Sequence, residues 1–134
     1  MFKKIAHIGV AVKDLEKAKH LFSDIFGLEL LNEEVIDEYQ LRLADLRLGD
    51  VEIELLEGLS DHSTITKFIE KRGEGIQHIC FEVDDIHAAL GTLTEKGVDL
   101  IDRNPRVVRQ GRKIAFLRPL DTHGVLIELV EKQK

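Results

Sequence analysis

The sequence predicts an α+β fold made of two tandem βαβββ units whose strands form a curved mixed sheet. The first observation is a repeat: His-Ile-Gly-Val-Ala-Val-Lys-Asp-Leu begins at position 7, and His-Ile-Cys-Phe-Glu-Val-Asp-Asp-Ile begins at position 78. The second is a later matching pair, Val-Glu-Ile-Glu-Leu-Leu-Glu at 51–57 and Val-Leu-Ile-Glu-Leu-Val-Glu at 125–131. We therefore expect a single domain over residues 1–134, with repeats at about 1–60 and 74–134 joined by a short helix.

Composition places the chain among ordinary globular proteins. Hydrophobic residues make up 43% and charged residues 33% of the 134 positions, which is typical of a soluble domain with a proper core. The net charge of −6 argues against a general nucleic-acid binder. No apolar run approaches the ~20 residues of a membrane span, and the N-terminus lacks a signal-peptide pattern. The single cysteine, Cys80, excludes an internal disulfide and favours a cytoplasmic location.

The first repeat begins with a predicted strand from Ile5 to Val12, after which Asp14 caps a helix that ends at Gly27. The apolar residues at helical spacing in that helix are Leu15, Ala18, Phe22 and Ile25. A short strand is expected to begin at residues 28–31. The leucines at 41 and 43 stand at odd positions and those at 46 and 48 at even positions, so the apolar side chains change from one strand face to the other. This change predicts a β-bulge near Ala44-Asp45. Gly49-Asp50 is a turn signal before a strand over 51–56.

The second repeat follows the same order. Ser63 is expected to cap the linking helix, which ends at Gly73. A strand over 76–83 precedes a helix capped by Asp84 or Asp85 and ended by Gly97. Short strands are expected over 98–101 and 113–117, and the last strand over 125–130.

Each repeat supplies one histidine and one glutamate, and these are the candidate metal ligands. Because side chains alternate across a strand, His7 leaves the face that carries Ile8 and Val10, and His78 likewise leaves the face of the apolar stripe. Glu54 and Glu128 stand opposite their apolar neighbours in the closing strands. If the curved sheet aims the four residues at one cleft, it forms a site for a divalent cation.

Imidazole nitrogen with carboxylate oxygen suits zinc, cobalt, nickel, manganese or iron and is too rich in nitrogen for a typical calcium or magnesium cage. Four protein ligands around an octahedral ion leave two positions for water or substrate, as Lewis-acid chemistry requires. The other histidines are predicted to be surface residues, except that His123 could approach the site from its turn. Cys80 is predicted to be a small buried residue.

Cationic residues cluster between positions 103 and 118 and are either a solvated edge or a lip for a phosphorylated or carboxylated small molecule. The guanidinium fork matches carboxylate and phosphate oxygens. The residues selected as candidate substrate-binding groups are Arg109, Arg112, Lys113 and Arg118.

These residues together resemble the vicinal oxygen chelate (glyoxalase/bleomycin resistance/dioxygenase) superfamily over essentially the whole chain. The phrases at 68–78, Phe-Ile-Glu-Lys-Arg-Gly-Glu-Gly-Ile-Gln-His, and at 124–129, Gly-Val-Leu-Ile-Glu-Leu, are most similar to the methylmalonyl-CoA epimerase branch. The chain departs from that branch at 107–112, where a glycine-rich turn is usual, and at Arg118-Pro119, where His-Pro is usual. A second carboxylate base of that branch would align near 41–43, where this chain has none; Asp45 or Glu38 is the alternative.

The resemblance implies a metal-dependent 1,1-proton transfer at the carbon between a thioester and a carboxylate. Glu128 is the candidate for one base, and Glu54, Asp45 or water for the other. It also implies a divalent metal (cobalt, nickel, manganese or zinc), an acyl-CoA substrate held by the cationic stretch, and a homodimer.

Three other functions remain open. A glyoxalase I-type lactoylglutathione lyase uses the same metal ligands. A metal-free binding module of this fold is disfavoured because all four ligand positions hold ligand-type residues. An extradiol dioxygenase requires two histidines and one carboxylate on Fe(II), and such enzymes are usually longer chains.

Overall fold

The structure is a computed structural model that describes residues 1–132. The described residues form two compact units. One unit comprises His7–Gln77, and the other comprises Met1–Ala6 together with residues 78–132. The first strand of the chain therefore contributes residues to both units.

The elements of the first repeat and the linker are β1 (Phe2–Ala11), α1 (Leu15–Lys19) continued by a π-helical turn (His20–Ile25), β2 (Glu29–Ile36), β3 (Leu41–Leu48), β4 (Val51–Gly58) and α2 (Thr64–Arg72). In the unit of residues 7–77, the strands pair in the order β2-β3-β4-β1. Strands β1 and β4 are parallel, whereas β3 is antiparallel to both β2 and β4.

The elements of the second repeat are β5 (Gly75–Val83), α3 (Ile86–Glu95), β6 (Arg106–Val107), β7 (Lys113–Phe116) and β8 (Ile127–Glu131). Their strands pair in the order β5-β8-β7-β6. Strands β5 and β8 are parallel, and β7 is antiparallel to β8 and β6. The predicted α+β class, the βαβββ succession and the mixed strand pairing are thus confirmed.

The two repeats also begin their helices in the same way. Asp14 accepts a hydrogen bond from the Lys17 backbone N–H at 3.1 Å, and Asp85 accepts one from Ala88 at 3.0 Å. A glutamate near the end of each closing strand accepts a second helix-start N–H: Glu57 from Leu15 and Glu131 from Ile86, both at 2.9 Å. These carboxylates satisfy amide donors that the first turn leaves without helical partners.

Both faces of the β3–β4 pair are buried, which explains the change of leucine parity in β3. Leu46 and Leu55 pack with α1 on one face, while Leu43 and Leu56 pack with Ile65 of α2 on the other. The β3–β4 register is uninterrupted along its length, so the predicted bulge near Ala44-Asp45 is wrong. The register shift lies in β2 instead, between residues 30 and 32.

Two further expectations are wrong. Ile25 is 61% exposed rather than core-facing, because the π-helical turn changes the helical spacing on which its prediction depended. Residues 98–101 form no strand; Leu100 makes only an isolated bridge to Leu117. The Asp102 carboxylate accepts the Phe116 N–H at 2.9 Å. A side-chain oxygen therefore replaces the backbone carbonyl that a neighbouring strand would supply at this position.

The second unit has its core between α3 and one face of its strands. Ile86 and Leu90 of α3 pack with Ala115, Leu117 and Leu129. Among residues 1–132, no helix is long and apolar enough to cross a membrane.

Candidate functional site

The two histidine–glutamate pairs arise from the same strand register. In the parallel β1–β4 pair, Gly9 is the partner of Glu54, and in the parallel β5–β8 pair, Cys80 is the partner of Glu128. Each histidine lies two residues before that partner and so shares its face. His7 and Glu54 are therefore neighbours on the face opposite α1, as His78 and Glu128 are on the face opposite α3.

The distances within each pair fit the donor set of a metal site. His7 Nε2 lies 3.6 Å from Glu54 Oε1, and His78 Nε2 lies 3.1 Å from Glu128 Oε1. Adjacent ligand atoms at bond lengths of about 2.1 Å are separated by about 3.0 Å in an octahedral shell and about 3.4 Å in a tetrahedral one. Each pair therefore fits two adjacent ligands of a zinc-like or cobalt-like ion.

All four side chains are largely protected from solvent. The most exposed, His7, has 14% of its side-chain surface exposed, and His78 has 5%. A carboxylate at this degree of burial is stable only with a cation or with hydrogen-bond donors. Over the described part of the chain, the residues in groups able to hold a metal ion are His7, Glu54, His78, Cys80 and Glu128.

A third carboxylate lies beside the first pair. Asp45 of β3 is directly opposite Glu54 in the β3–β4 register, and only 8% of it is exposed. It shares the face of Leu43 and Leu56, opposite α1. Glu38, the other alternative that the sequence offered, lies in an exposed 3₁₀ turn. Asp45 reaches this position through ordinary strand alternation and needs no bulge.

The remaining histidines and the cysteine lie where the sequence indicated. His20 is exposed and forms an ion pair with Asp24 at 2.9 Å. His87 and His123 are exposed, the latter in a turn with φ of 58°. Cys80 is completely buried, on the strand face shared by His78.

The four predicted substrate-binding cations fall in different surroundings. Arg109 and Arg112 flank a tight turn in which Gln110 has φ of 60°, and the Arg112 Nε atom is buried without a hydrogen-bond partner among the described residues. Lys113 shares the face of Ala115, which packs in the α3 core. The Arg118 Nε atom lies 2.8 Å from Asp99. Their roles as substrate-binding residues stay predictions.

The structure draws attention to Arg106, which the sequence analysis did not select. Arg106 pairs with Ile114 across β6–β7, so it shares the face of Phe116 and Glu128. The only signal in the sequence is its place in the cationic stretch, because β6 is too short for its parity to be recognised. The arginine on the strand face of the His78–Glu128 pair was therefore found only through the tertiary pairing.

Comparisons with known proteins agree with this architecture. The sequence profile of the Glyoxalase/Bleomycin resistance protein/Dioxygenase superfamily matches residues 6–116. The mitochondrial methylmalonyl-CoA epimerase of Dictyostelium discoideum is 36% identical, over 96% of this chain and 78% of that protein. A Streptomyces coelicolor methylmalonyl-CoA epimerase variant solved with 2-nitronate-propionyl-CoA is 36% identical, with a TM-score of 0.92 over 98% of this chain and 96% of that one. A probable lactoylglutathione lyase of Vibrio cholerae is 30% identical, over 98% of this chain and 92% of that protein.

Proposed function

Because the chain belongs to the Glyoxalase/Bleomycin resistance protein/Dioxygenase superfamily, we propose that it is an acyl-CoA epimerase of the methylmalonyl-CoA type. The observation that carries this proposal is the likeness of fold and sequence, over nearly the whole chain, to an epimerase solved with an acyl-CoA ligand. The repeated histidine–glutamate pairs supply the chemistry that such a reaction needs.

We propose His7, Glu54, His78 and Glu128 as the ligands of a divalent metal ion, which is cobalt, nickel, manganese or zinc. The support is the Nε2–Oε1 distance within each pair, 3.6 Å and 3.1 Å, together with the burial of both glutamates. When bound, the ion supplies positive charge where negative charge develops as the substrate loses its proton.

The proton transfer itself falls to carboxylates of this chain. Epimerisation breaks the C–H bond on one face of the α-carbon and forms a new C–H bond on the other, so one group accepts a proton and a second donates one. We propose Glu128 for one face and Glu54 for the other, with Asp45, buried opposite Glu54, as the alternative partner. Each such transfer contributes on the order of 10²–10⁴-fold to the rate.

The substrate and its surroundings follow from the same proposal. Arg109, Arg112, Lys113 and Arg118 would hold phosphates of coenzyme A through charge-assisted hydrogen bonds. We further propose a homodimer in the cytoplasm, where a single buried thiol, Cys80, stays reduced.

The test is solvent deuterium uptake into methylmalonyl-CoA by the purified chain loaded with Co²⁺. Incorporation at the α-carbon with interconversion of the epimers supports the proposal, and its absence with cobalt, nickel, manganese and zinc would refute the substrate assignment. Turnover of the methylglyoxal–glutathione adduct instead would identify a lactoylglutathione lyase, a function favoured by the Vibrio cholerae relative. If the purified chain retains no metal, the metal-free binding module is favoured.

A further inference from the structure

Arg106 is built into the same strand face as the His78–Glu128 pair. Its register partner is Ile114, and Phe116 on the same face of β7 is in turn the partner of Glu128. Side chains at alternate positions of paired strands line one face of a sheet. Arg106 therefore lies on the strand face of Phe116 and Glu128, in the neighbouring cross-strand row that contains Ile114 and Val130.

Phe116 contacts both Arg106 and His78. The Phe116 ring meets the His78 ring edge-on, with centroids 6.1 Å apart. The Arg106 guanidinium carbon lies over the Phe116 ring, 5.5 Å from its centroid. A guanidinium at this distance is within the range of a cation–π interaction with the ring.

Asp102 fixes the orientation of Arg106 from the other side. Its Oδ2 atom accepts the Phe116 backbone N–H at 2.9 Å and lies 3.1 Å from Arg106 Nη2. Asp102 is thus hydrogen-bonded to the backbone of β7, whereas the carboxylate of a typical surface ion pair has no such attachment. The Arg106 side chain is still 39% exposed, and its guanidinium carries five N–H donors, so an edge of a preorganised fork reaches solvent.

We propose that Arg106 binds an oxyanion of the acyl-CoA substrate, a carboxylate or a phosphate, next to Phe116, whose ring contacts His78. This inference rests on the proposed function. An acyl-CoA ester carries several negative charges, whereas this chain has a net charge of −6, so attraction must come from cations placed locally at the site. Arg106 is held in place by two contacts before ligand binding, which lowers the entropy cost of fixing an arginine side chain.

The experiment compares binding to metal-loaded wild type, Arg106→Gln and Arg106→Lys by calorimetry, with methylmalonyl-CoA and propionyl-CoA as the probes. Propionyl-CoA keeps the phosphates and the thioester and lacks the free carboxylate. We expect Arg106→Gln to raise the Kd for methylmalonyl-CoA on the order of tenfold to hundredfold, the range of a hydrogen bond to a charged group. The Kd of Arg106→Lys should lie between those of Arg106→Gln and wild type, since lysine keeps the positive charge and lacks the forked guanidinium.

The two probes distinguish the source of the oxyanion. An equal loss with propionyl-CoA identifies a phosphate, and a loss confined to methylmalonyl-CoA identifies the carboxylate. The matched control is Arg47→Gln, another strand arginine that pairs with a carboxylate, Glu29, at 3.3 Å; it should leave both Kd values unchanged. An Arg106→Gln protein that is folded by circular dichroism and binds both probes like wild type would overturn the inference.

Failure of the proposed function gives a different result. If wild type binds methylmalonyl-CoA without exchanging its α-proton, the epimerase proposal fails while an Arg106-dependent Kd still supports the oxyanion site. If wild type epimerises and the Arg106 variants show unchanged Kd and KM, the reaction stands and the role of Arg106 is refuted.

Discussion

Asp45 and Glu54 are direct partners across the antiparallel strands β3 and β4, and both carboxylates are buried. Like charges directly opposite each other destabilise a sheet, and burial increases that repulsion because the effective dielectric constant falls. A cation or a shared proton relieves it. The arrangement suits the proposed roles of Glu54 as a metal ligand and Asp45 as an adjacent proton-transfer group. Asp45 is therefore a residue to test.

Asp45→Asn keeps the size of the side chain and removes the base. If Asp45 serves one face of the α-carbon, the variant should lose epimerisation on the order of 10²–10⁴-fold, while one methylmalonyl-CoA epimer still exchanges its α-proton with solvent through Glu128. Mass spectrometry of deuterium uptake, started separately from each epimer, measures this. Unchanged interconversion in a variant with full metal content would leave Glu54 as the partner of Glu128.

His78→Ala should lose bound metal and activity while the fold is largely retained. The substitution removes a 5%-exposed imidazole that lies 3.1 Å from Glu128, and the remaining ligands would bind the ion far more weakly. The metal-to-protein ratio after dialysis, measured by atomic emission, is the readout. His20→Ala is the control, because His20 is exposed and pairs only locally with Asp24; a His78→Ala protein with normal metal content would show that the site is elsewhere.

Arg112→Ala should mainly raise the apparent KM for the acyl-CoA substrate, since a phosphate contact is equally strong in the ground state and the transition state. Arg112 directly follows the tight turn at Gln110, and its Nε atom is buried. Steady-state kinetics measure the KM of Arg112→Ala and of Arg118→Ala, in which the arginine removed is already paired with Asp99. The comparison shows how much each arginine contributes to the apparent KM. A change confined to kcat would argue against phosphate binding at Arg112.

Gly58→Ala and Gly91→Ala should change stability in opposite directions. A Cβ at Gly58 would lie 2.1 Å from Thr66 Oγ1 and 2.9 Å from the Thr66 backbone nitrogen, so α2 must move away from β4. We expect a loss of about 1–3 kcal/mol. At Gly91, within α3, a Cβ meets nothing within 4 Å, and alanine should stabilise the helix by about 0.5–1 kcal/mol.

Urea unfolding followed by circular dichroism measures both free energies of unfolding. A Gly58→Ala protein as stable as wild type would mean that α2 packs less closely against β4 than the structure shows.

Much of the fold could be predicted because the duplication checks each assignment twice. The caps Asp14 and Asp85 have the same geometry in the structure, and their helices follow strands that carry matching phrases. Matching between the repeats was not sufficient everywhere: residues 98–101, the counterpart of the strand expected at 28–31, form no strand. The parity change at Leu43 and Leu46 predicts a bulge, whereas in the structure α2 covers the second face of the β3–β4 pair, which a sequence does not reveal.

The sequence by itself determined the residue types and their strand faces, since alternation along a strand is a local property. It thereby placed His7, Glu54, His78 and Glu128 away from the helix-facing stripes. The tertiary structure alone decided what lies beside them, because cross-strand neighbours depend on register between segments far apart in the chain. The pairing of Asp45 with Glu54, and of Arg106 with the strand that carries Phe116, is of this kind.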